Sequence, residues 1–422
     1  MKNKFKNSLI LNTVYLYIMQ FGGYLLSLLL VPYQSRVISV EHNSQLSSAI
    51  GVMVYIQLLI QFGFTVSAVY AITKKRDDPE EQQRIYSSVL SAKLFLSFLS
   101  AIAIFVLTTF VPSYTNIKLV FWLYFIATLF ESVLPIYFLR GMEDMAIVSI
   151  VSLAGKALTF FVVIVFVKND TQYLIIPISR IISSVFSFAF ACIYIRIKHN
   201  IKLRLSSLKN AFLQMKESFQ YFVSRISGSI YHGSNEIALG ILYPSTLAIY
   251  TMPLKLVTTA QSVASPLADS FFPYMVRTKN MKKAILTTVV LTSAVLVCCA
   301  IGEIFTEFFV KLIFGDNYSE SVIVLRLLIP IIAITPINYM ITFPIMVPMG
   351  LAKHANIGSL AAAIVHVLGL IILISTGSYT FVSAAILSVI SEYTAVCYRF
   401  AAIGIYRYKK WKNRKVCEEI IV

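Results

Sequence analysis

Charged side chains are scarce in this sequence. Only 13% of its 422 residues are Asp, Glu, Lys or Arg, and 58% are hydrophobic, whereas soluble proteins average about 25% charged and about 45–50% apolar residues. This composition excludes a soluble globular protein. Ten-residue segments of alternating hydrophobicity are also missing, which excludes a transmembrane β-barrel. Apolar runs of roughly 20 residues recur instead, and each is long enough to cross about 30 Å of hydrocarbon as a helix.

Recognisable catalytic and nucleotide-binding motifs are missing as well. The sequence has no HExxH motif and no His/Cys cluster with metal-ligand spacing, and Ile150 stands where a Walker A motif ending at Gly155-Lys156 would need its first glycine. No long external loop could hold the catalytic residues of an envelope glycan polymerase. We therefore expect a protein that is not an enzyme and that has no cofactor or metal. The five cysteines lie in apolar runs or in the basic tail, which predicts no disulfide framework.

Acidic residues are few, 19 against 36 Lys and Arg, and the net charge is +17. If the N-terminus is cytoplasmic, most basic residues fall in cytoplasmic loops, and the opposite loops receive only Arg36, Lys118, Lys168 and Lys311. By the positive-inside rule, this asymmetry predicts a multi-pass protein of the bacterial cytoplasmic membrane with both termini in the cytoplasm. The charge then reflects topology, and we expect no nucleic-acid partner.

The breaks between apolar runs predict an all-α polytopic membrane protein. It would have about twelve transmembrane helices, over residues 9–31, 45–72, 86–110, 118–138, 147–167, 173–196, 218–240, 246–273, 284–308, 321–347, 355–375 and 380–403. Two six-helix lobes, 1–196 and 218–404, would surround a central cationic cavity. A cytoplasmic linker, 197–217, would join them, and a basic cytoplasmic tail would cover 405–422.

The linker contains apolar residues at helical spacing opposite basic ones. Leu205, Leu208, Phe212 and Met215 follow this pattern within a predicted helix over 203–215. This is typical of a helix that lies on the membrane surface. A linker helix packed against the ends of the bundle remains an equal alternative.

Ionisable residues inside the predicted spans are the candidate functional residues. A charge at the centre of a bilayer costs about 2.5–3.5 kcal/mol on insertion scales, so it normally faces a cavity or a partner. The cations are Lys93, Lys156, Arg180, Arg225, Lys255, Arg326 and Arg399, and the acids are Glu131, Glu236, Asp269, Glu303, Glu307 and Glu392. For Arg326, Arg399, Glu303 and Glu307, proximity to span ends favours side chains that extend to the interface.

Polar residues at helical spacing form stripes on three of the predicted spans. These stripes are Ser149, Ser152, Lys156 and Thr159; Arg225, Ser229, His232 and Glu236; and Lys255, Thr259, Ser262 and Asp269. Stripes on several helices predict a hydrated interior with net positive charge. Our candidate binding residues are therefore Lys156, Arg225, Lys255, Lys93 and Arg180. His232 and Glu236 are one turn apart and either exchange a proton or make an ordinary polar contact.

A cationic cavity within the bilayer favours an anionic ligand. Arg binds phosphate through paired hydrogen bonds, and Lys binds it as a point charge. The chain also contains 24 tyrosines, whose rings and hydroxyls suit sugars, although tyrosines also form belts at membrane interfaces. Together these features indicate a phosphate-linked glycolipid as the ligand.

Several motifs carry a resemblance to a known family over residues 1–404. They are Asn12 to Gln20, Val31-Pro32-Tyr33-Gln34-Ser35-Arg36, Gln61-Phe62-Gly63-Phe64-Thr65-Val66-Ser67-Ala68, Tyr137-Phe138-Leu139-Arg140-Gly141-Met142-Glu143 and Phe314-Gly315-Asp316-Asn317-Tyr318. In these motifs the chain resembles bacterial Wzx-type flippases of polysaccharide repeat units, in the multidrug/oligosaccharidyl-lipid/polysaccharide exporter superfamily. Two positions depart from the family pattern. Gln61 stands where many relatives have an acid, and Arg140 stands where Gln is common.

The resemblance implies a twelve-helix, two-lobed fold that moves an undecaprenyl-diphosphate-linked oligosaccharide from the inner to the outer leaflet. A polysaccharide polymerase and glycosyltransferases are then expected partners. Glu131 or Glu236, with His232, is expected to couple transport to H⁺ or Na⁺. The open alternatives are a flippase for another lipid-linked precursor, such as lipid II or a teichuronic-type precursor, and a drug or cation antiporter of the same superfamily.

Overall fold

A computed structural model of the chain describes residues 2–278 and 280–421. Side chains are described there except at positions 2–14, 16–17, 223–225, 227–232, 264–267, 269–270, 272–274, 276–277, 343 and 410–421. Over these two ranges all regular secondary structure is helical. The predicted all-α fold class is therefore confirmed.

Sixteen α-helices follow one another in the described part of the chain. The first eight are α1 (Lys2–Val37), α2 (Val40–Gln61), α3 (Phe64–Lys74), α4 (Pro79–Phe110), α5 (Pro112–Thr115), α6 (Lys118–Val133), α7 (Ile136–Gly141) and α8 (Met145–Phe166). The second eight are α9 (Ile175–His199), α10 (Leu208–Leu242), α11 (Leu247–Thr278), α12 (Met281–Ile304), α13 (Thr306–Phe314), α14 (Ser321–Met340), α15 (Ala352–Ser375) and α16 (Phe381–Ile421). A π-helix, Ile341–Ile345, continues α14.

Nine helical stretches within the described residues are long and apolar enough to cross a membrane. They are Val40–Lys74, Pro79–Phe110, Lys118–Gly141, Met145–Phe166, Asp170–His199, Met281–Ile304, Ser321–Met340, Ala352–Ser375 and Phe381–Lys409. Each coincides with one of the twelve predicted spans. The other three predicted spans fall in α1, α10 and α11, which are helical over 36, 35 and 32 residues.

Contacts divide the chain into two compact units. Unit 1 comprises Met1–Ile226, Glu236–Ala248 and Ile313–Asn317, and unit 2 comprises Ser227–Asn235, Ile249–Leu312 and Tyr318–Val422. The first half of α10 thus packs within unit 1, beyond the predicted linker at 197–217.

Unit 1 is built around two apolar clusters. One joins α3, α4, α7, α8 and α9 and includes the fully buried rings of Phe64 and Phe138. The other joins α2, α4, α6 and α8 and includes the fully buried Tyr114 and Phe121. These clusters fix the relative positions of α6, α8 and α9, the three helices that carry Glu131, Lys156 and Arg180.

The predicted span 45–72 is interrupted by a sharp break. Phe62 and Gly63 separate α2 from α3, and their φ angles of 38° and 77° are left-handed. The ring of Phe62 stacks on that of Phe222, with centroids 4.4 Å apart. The hydroxyls of Ser67 and Ser218 are 2.7 Å apart. The break therefore lets α3 pack against the first half of α10.

Gly63→Ala is expected to destabilise unit 1. An ideal Cβ at this position would lie 2.8 Å from the backbone nitrogen of Phe222, and backbone atoms cannot move away independently. The overlap and the left-handed conformation together cost about 2–4 kcal/mol. The check is the thermal unfolding midpoint in detergent. The matched control is Gly302→Ala in α12, where nothing lies within 4 Å, and equal midpoints for the two variants would contradict the prediction.

The segment 137–143, one of the motifs that carry the family resemblance, packs onto α3. Gly141 lies so close to Ile72 that a Cβ would be 2.6 Å from its Cγ2. The hydroxyl of Thr73 donates to the carbonyl oxygen of Gly141 at 3.2 Å. Arg76 lies 3.3 Å from Glu143. The motif thus fixes the turn between α7 and α8 against the end of α3.

The linker after α9 runs extended along α4. The amide of Gln83 donates to the carbonyl of Lys202 at 2.8 Å and accepts from its N–H at 2.7 Å. The hydroxyl of Ser91 donates to the carbonyl of Ser206 at 3.2 Å and accepts from its N–H at 2.8 Å. Eight helical residues rise about 12 Å and four extended residues span about 13 Å. The spacing of Gln83 and Ser91 along α4 therefore matches the spacing of Lys202 and Ser206 along the extended linker.

The start of the predicted helix over 203–215 is wrong, because the helix begins five residues later. Helix α10 begins at Leu208, and Ser207 is its N-cap, whose hydroxyl accepts from the N–H of Asn210 at 3.4 Å. The physical reason is the set of bonds to α4, which hold residues up to Ser206 extended. Leu208 and Phe212 are exposed on the first turns of α10.

Unit 2 contains a helix interrupted by prolines. Pro330 and Pro336 lie inside α14, and the π-helix that follows contains Pro344. An apolar cluster that includes Met346 and Ala355 joins this region to α15. Helices α15 and α16 pack along each other, and polar residues of α16 make hydrogen bonds to both α14 and α15.

Candidate functional site

Lys156 lies near the middle of α8, about 15 Å from either end at 1.5 Å per residue. Its ammonium rests against the backbone of α1, where an ideal Cβ on Gly23 would lie 2.5 Å from Nζ. Among the described residues, this ammonium makes no hydrogen bond and no ion pair. A lysine at this depth without a partner is a functional-site candidate by default.

Arg180 of α9 and Glu131 of α6 form an ion pair that interacts electrostatically with Lys156. The Nε of Arg180 is 3.9 Å from Oε1 of Glu131, and the two side chains are 39% and 34% exposed. This distance is too long for a hydrogen bond. The guanidinium carbon also lies 5.6 Å from the centre of the Tyr124 ring. The pair is therefore loose and accessible.

Lys156, Arg180 and Glu131 together form what we call the α8–α9 charge cluster. Two cations and one carboxylate give it a formal charge of +1. Its free ammonium and its forked guanidinium suit the oxygens of a phosphate or diphosphate. Three of the candidate residues from the sequence are thus brought together on three helices of unit 1.

Lys93 occupies a different place in unit 1. It is 2% exposed, and its Nζ donates to the carbonyl oxygen of Ser132 at 2.6 Å. The ammonium also lies 4.9 Å from the centre of the Tyr137 ring. The normal helical donor to the carbonyl of Ser132 would be the N–H of Ile136, but that N–H donates to the carbonyl oxygen of Leu134 at 2.9 Å, where α6 ends. Lys93 thus binds the end of the helix that carries Glu131.

The remaining candidate residues are Lys255, Glu236, Arg225 and His232, and the structure describes the side chains of the first two. Lys255 lies on α11 in unit 2, half-buried, with Nζ 3.9 Å from the sulfur of Met252. Glu236 packs against α2, where a Cβ on Gly51 would lie 2.9 Å from its Cβ. The side chains of Arg225 and His232 lie outside the described part of the structure, as does that of Asp269.

Residues of the polar stripe on α8 make hydrogen bonds to two neighbouring helices, α1 and α9. Ser149 donates to the carbonyl oxygen of Tyr15 on α1 at 2.8 Å. Thr159 donates to the hydroxyl of Ser183 on α9 at 2.8 Å. These hydroxyls join helices, as is usual for small polar residues inside membranes. Lys156 lies between them on the same stripe.

Unit 2 contains a buried polar network that the sequence-based argument missed. Arg399, 4% exposed, donates to Oδ1 of Asn338, to the hydroxyl of Ser359 at 2.8 Å and to the carbonyl oxygen of Ala355 at 3.1 Å. Asn338 in turn donates to Oε2 of the buried Glu392 at 3.2 Å. The sequence-based interpretation of Arg399 as an interfacial side chain is therefore wrong, because α14 and α15 enclose it.

The interfacial interpretation stays a prediction for Arg326, Glu303 and Glu307, which form two exposed ion pairs. Arg326 lies 3.7 Å from Glu303, and Lys311 lies 3.2 Å from Glu307. All four side chains are about half exposed or more. Neither pair includes a residue of the α8–α9 charge cluster or of the network around Arg399.

A second buried network in unit 2 centres on Asn235, which is fully buried. Its amide donates to the carbonyl oxygen of Ala384 and to the hydroxyl of Ser388, both at 3.0 Å. Its Oδ1 accepts from the hydroxyl of Tyr379 at 3.0 Å. Every contact in this network is made by a neutral group, which indicates a structural role in joining α10 to α16. No group of three or more potential metal ligands occurs among the described residues.

Comparisons with known proteins agree with the motifs. The model of a family described as "Polysaccharide biosynthesis protein" matches residues 9–279. The chain is 23% identical over 338 residues to a protein of Escherichia coli (strain K12) and 22% identical over 364 residues to one of Shigella dysenteriae. Both have the name "Putative O-antigen transporter". The alignments cover 78% and 85% of this chain and 81% and 91% of those proteins.

Solved structures show the same fold. The lipid II flippase MurJ in an inward closed conformation has a TM-score of 0.73 at 13% identity, covering 94% of this chain and 87% of that one. An inward-facing multidrug resistance transporter of the MATE family has a TM-score of 0.66 at 14% identity, covering 91% and 99%. The family match spans more than half of this chain, and it agrees with the resemblance in the sequence motifs. The chain therefore belongs to the family of polysaccharide biosynthesis proteins.

Proposed function

We propose that this protein is a flippase that moves a polysaccharide repeat unit, linked to undecaprenyl diphosphate, across the bacterial cytoplasmic membrane. The observation that carries the proposal is the α8–α9 charge cluster, which places a net positive charge deep within a membrane-spanning helix. Membership of a polysaccharide biosynthesis family and two relatives named for O-antigen transport support a glycolipid as the cargo.

Such a cargo needs a protein to cross the membrane. Each sugar hydroxyl that enters hydrocarbon without a partner costs about 1–3 kcal/mol on lenient scales, and an oligosaccharide has many. A polar path would hold the sugars and the diphosphate while the polyprenyl chain stays in lipid. Export of an anion from a negative interior is also favoured, by about 2.3 kcal/mol per charge for each 100 mV. The direction from inner to outer leaflet therefore follows the membrane potential.

Within the proposal, Lys156 and Arg180 hold the diphosphate. Arg225 and Lys255 remain predicted binding residues, and Lys93 positions the end of α6 for Glu131. Glu131 competes with the diphosphate for Arg180, because one guanidinium cannot fully pair with both. Binding of H⁺ or Na⁺ to Glu131 would release Arg180 to the cargo, which would couple an ion gradient to loading.

The distribution of basic residues supports an orientation in the membrane. The end of unit 1 that carries Lys74, Lys75, Arg84 and Lys202 is cytoplasmic in this proposal, together with both termini. Glycosyltransferases that build the repeat unit would act before this protein, and a polysaccharide polymerase would act after it. Glu236 and His232 remain a predicted second ion-coupling pair.

A transport assay tests the proposal. Purified protein in proteoliposomes is expected to move labelled undecaprenyl-diphosphate oligosaccharide at least tenfold faster than protein-free vesicles. Lipid II and a cationic dye serve as comparison cargoes. Faster movement of lipid II would reassign the cargo, and dye efflux without glycolipid movement would identify a drug antiporter. A rate that does not respond to H⁺ or Na⁺ gradients would remove the coupling role of Glu131.

A further inference from the structure

A cleft of about 370 Å³, lined by both polar and apolar groups, opens in unit 1, away from the α8–α9 charge cluster. It lies where α3 ends, where α4 begins and along the first half of α10. Ser67 and Lys74 of α3 mark its extent, which is about 10 Å along the helix axis. Ligand sites typically have volumes of about 300–1,000 Å³, so the cleft is large enough for a small polar group.

The α10 wall of the cleft is a stripe of neutral and acidic hydrogen-bonding groups. Asn210, Gln214, Glu217 and Tyr221 recur at i, i+4, i+7 and i+11, so they lie on one face of the helix, and Gln220 lies beside them. A polar helical face inside a bundle would normally be covered by polar partners. Here it lines an open space.

The charges of the cleft are mostly compensated. Arg84 binds Glu81 with two hydrogen bonds, of 3.1 and 2.8 Å. Lys75 lies 3.8 Å from Asp78. Within the described residues, Lys74 makes no ion pair and no hydrogen bond. Among the described residues the Glu217 carboxylate makes no ion pair either and accepts only from Gln214. The cleft thus offers amides and hydroxyls together with one uncompensated cation and one uncompensated carboxylate.

Aromatic rings complete the lining. Tyr70 of α3 is 64% exposed and borders the cleft. Tyr221 of α10 lines it from the opposite wall. Tyrosine combines a flat apolar face with a hydroxyl, so it can contact a sugar ring by its face and a sugar hydroxyl by its edge.

From this lining we propose that the cleft is a docking site for the sugar-phosphate headgroup of the cargo, occupied before the cargo reaches Lys156. The inference rests on the proposed function. Sugar hydroxyls both donate and accept, which matches the amides of Gln214 and Gln220 and the carboxylate of Glu217. Lys74 provides the contact for a phosphate oxygen. Within the stripe, Asn210 donates to Ser206 at 3.0 Å and Gln214 donates to Glu217 at 3.4 Å. An ordinary phospholipid headgroup would use Lys74 and leave the remaining hydrogen-bonding capacity of the stripe, above all that of Gln220 and of the Glu217 carboxylate, unused.

The position of the cleft fits a first contact. It lies at the basic end of unit 1, where the headgroup of an inner-leaflet glycolipid is found in the proposed orientation. Next to it, Leu208 and Phe212 are exposed on α10, and the exposed Leu213 lines the cleft itself. These apolar side chains suit the acyl or polyprenyl region beside the headgroup.

Photo-crosslinking in proteoliposomes of the full chain tests the inference. A photoreactive phenylalanine analogue replaces Tyr70 in the cleft. In a control protein it replaces Phe98, which is 65% exposed on α4 outside the cleft. We expect labelled undecaprenyl-diphosphate oligosaccharide to crosslink at position 70 and at least fivefold less at position 98. Equal labelling at the two positions would overturn the inference.

Competitors identify which part of the glycolipid binds. Excess free oligosaccharide is expected to reduce the crosslink at position 70, and a short-chain prenyl diphosphate without sugar is expected to reduce it less. Protection by phosphatidylglycerol alone would overturn the inference in favour of a phospholipid site. Gln220→Leu is expected to lower the crosslink yield about fivefold, the effect of one lost hydrogen bond. Lys216→Ala, on the same helix but outside the cleft, is the matched control.

Transport is measured in the same vesicles, so that the two proposals fail separately. Transport with no crosslink at position 70 would overturn the docking site and leave the flippase intact. A crosslink at position 70 without transport by the unmodified protein would remove the proposed function, and with it the role of the cleft as a loading site.

Discussion

Gly23→Ala is expected to lower glycolipid transport by about 10- to 100-fold. An added Cβ would lie 2.5 Å from Nζ of Lys156 and 3.1 Å from its Cδ, so the ammonium must leave its present position. The lysine side chain is flexible, and the fold should tolerate this movement. A displaced ammonium loses a charge-assisted contact with the diphosphate, worth about 1.5–3 kcal/mol, which corresponds to the stated loss in rate.

The neighbouring glycine supplies a matched control. A Cβ on Gly22 would lie 2.9 Å from Cδ1 of Leu153, an apolar and flexible tip. Both variants add one methyl group to adjacent positions of α1, but only Gly23→Ala displaces the ammonium. We expect Gly22→Ala to transport within twofold of the unmodified protein. An equal loss of transport in both variants would contradict the role of the ammonium and would mean that α1 requires glycine at both positions.

A double-mutant cycle tests whether the effect passes through Lys156. Lys156→Met alone is expected to reduce transport at least as much as Gly23→Ala. In the Lys156→Met background, Gly23→Ala should cause little further loss, because the displaced group is already absent. A full additional loss would contradict a shared site. Lys168→Met, at an exposed lysine beyond the end of α8, controls for the change in net charge.

The position of Lys156 was predictable from the sequence, but the geometry around it was not. Helical spacing alone places Lys156 in the middle of α8. No spacing rule links it to Arg180 and Glu131, which lie on separate helices and meet only after α6, α8 and α9 have packed. For Lys93 the same reasoning predicted a cavity, because spacing does not show that the N–H of Ile136 turns to Leu134 and leaves the carbonyl oxygen of Ser132 to Lys93.

The errors have local physical causes. Leu205 fits the apolar spacing of an amphipathic helix, yet the bonds from Gln83 and Ser91 hold this part of the linker extended. The Ser206-Ser207 pair was an available signal, since serine is a preferred N-cap. Arg399 was misjudged because counting residues to the end of a span ignores neighbouring helices.

Arg399→Met is expected to destabilise unit 2 strongly. The substitution removes the donors that satisfy the carbonyl oxygen of Ala355 and the side chains of Asn338 and Ser359, in a site where Arg399 is only 4% exposed. Removing one partner from a buried charged network costs about 3–5 kcal/mol, because the remaining charge of Glu392 stays buried. We expect the thermal unfolding midpoint in detergent to fall by roughly 10 °C.

A milder variant keeps this prediction testable if Arg399→Met does not fold. A Cβ on Gly358 would lie 3.1 Å from Cγ and Nε of Arg399 and 3.2 Å from the carbonyl oxygen of Ala395. Gly358→Ala should therefore cost about 1–3 kcal/mol by overpacking. Lys311→Met, which breaks an exposed pair with Glu307, should cost under about 1 kcal/mol. If the thermal unfolding midpoints of Gly358→Ala and Lys311→Met are equal, the network around Arg399 does not hold α14, α15 and α16 together.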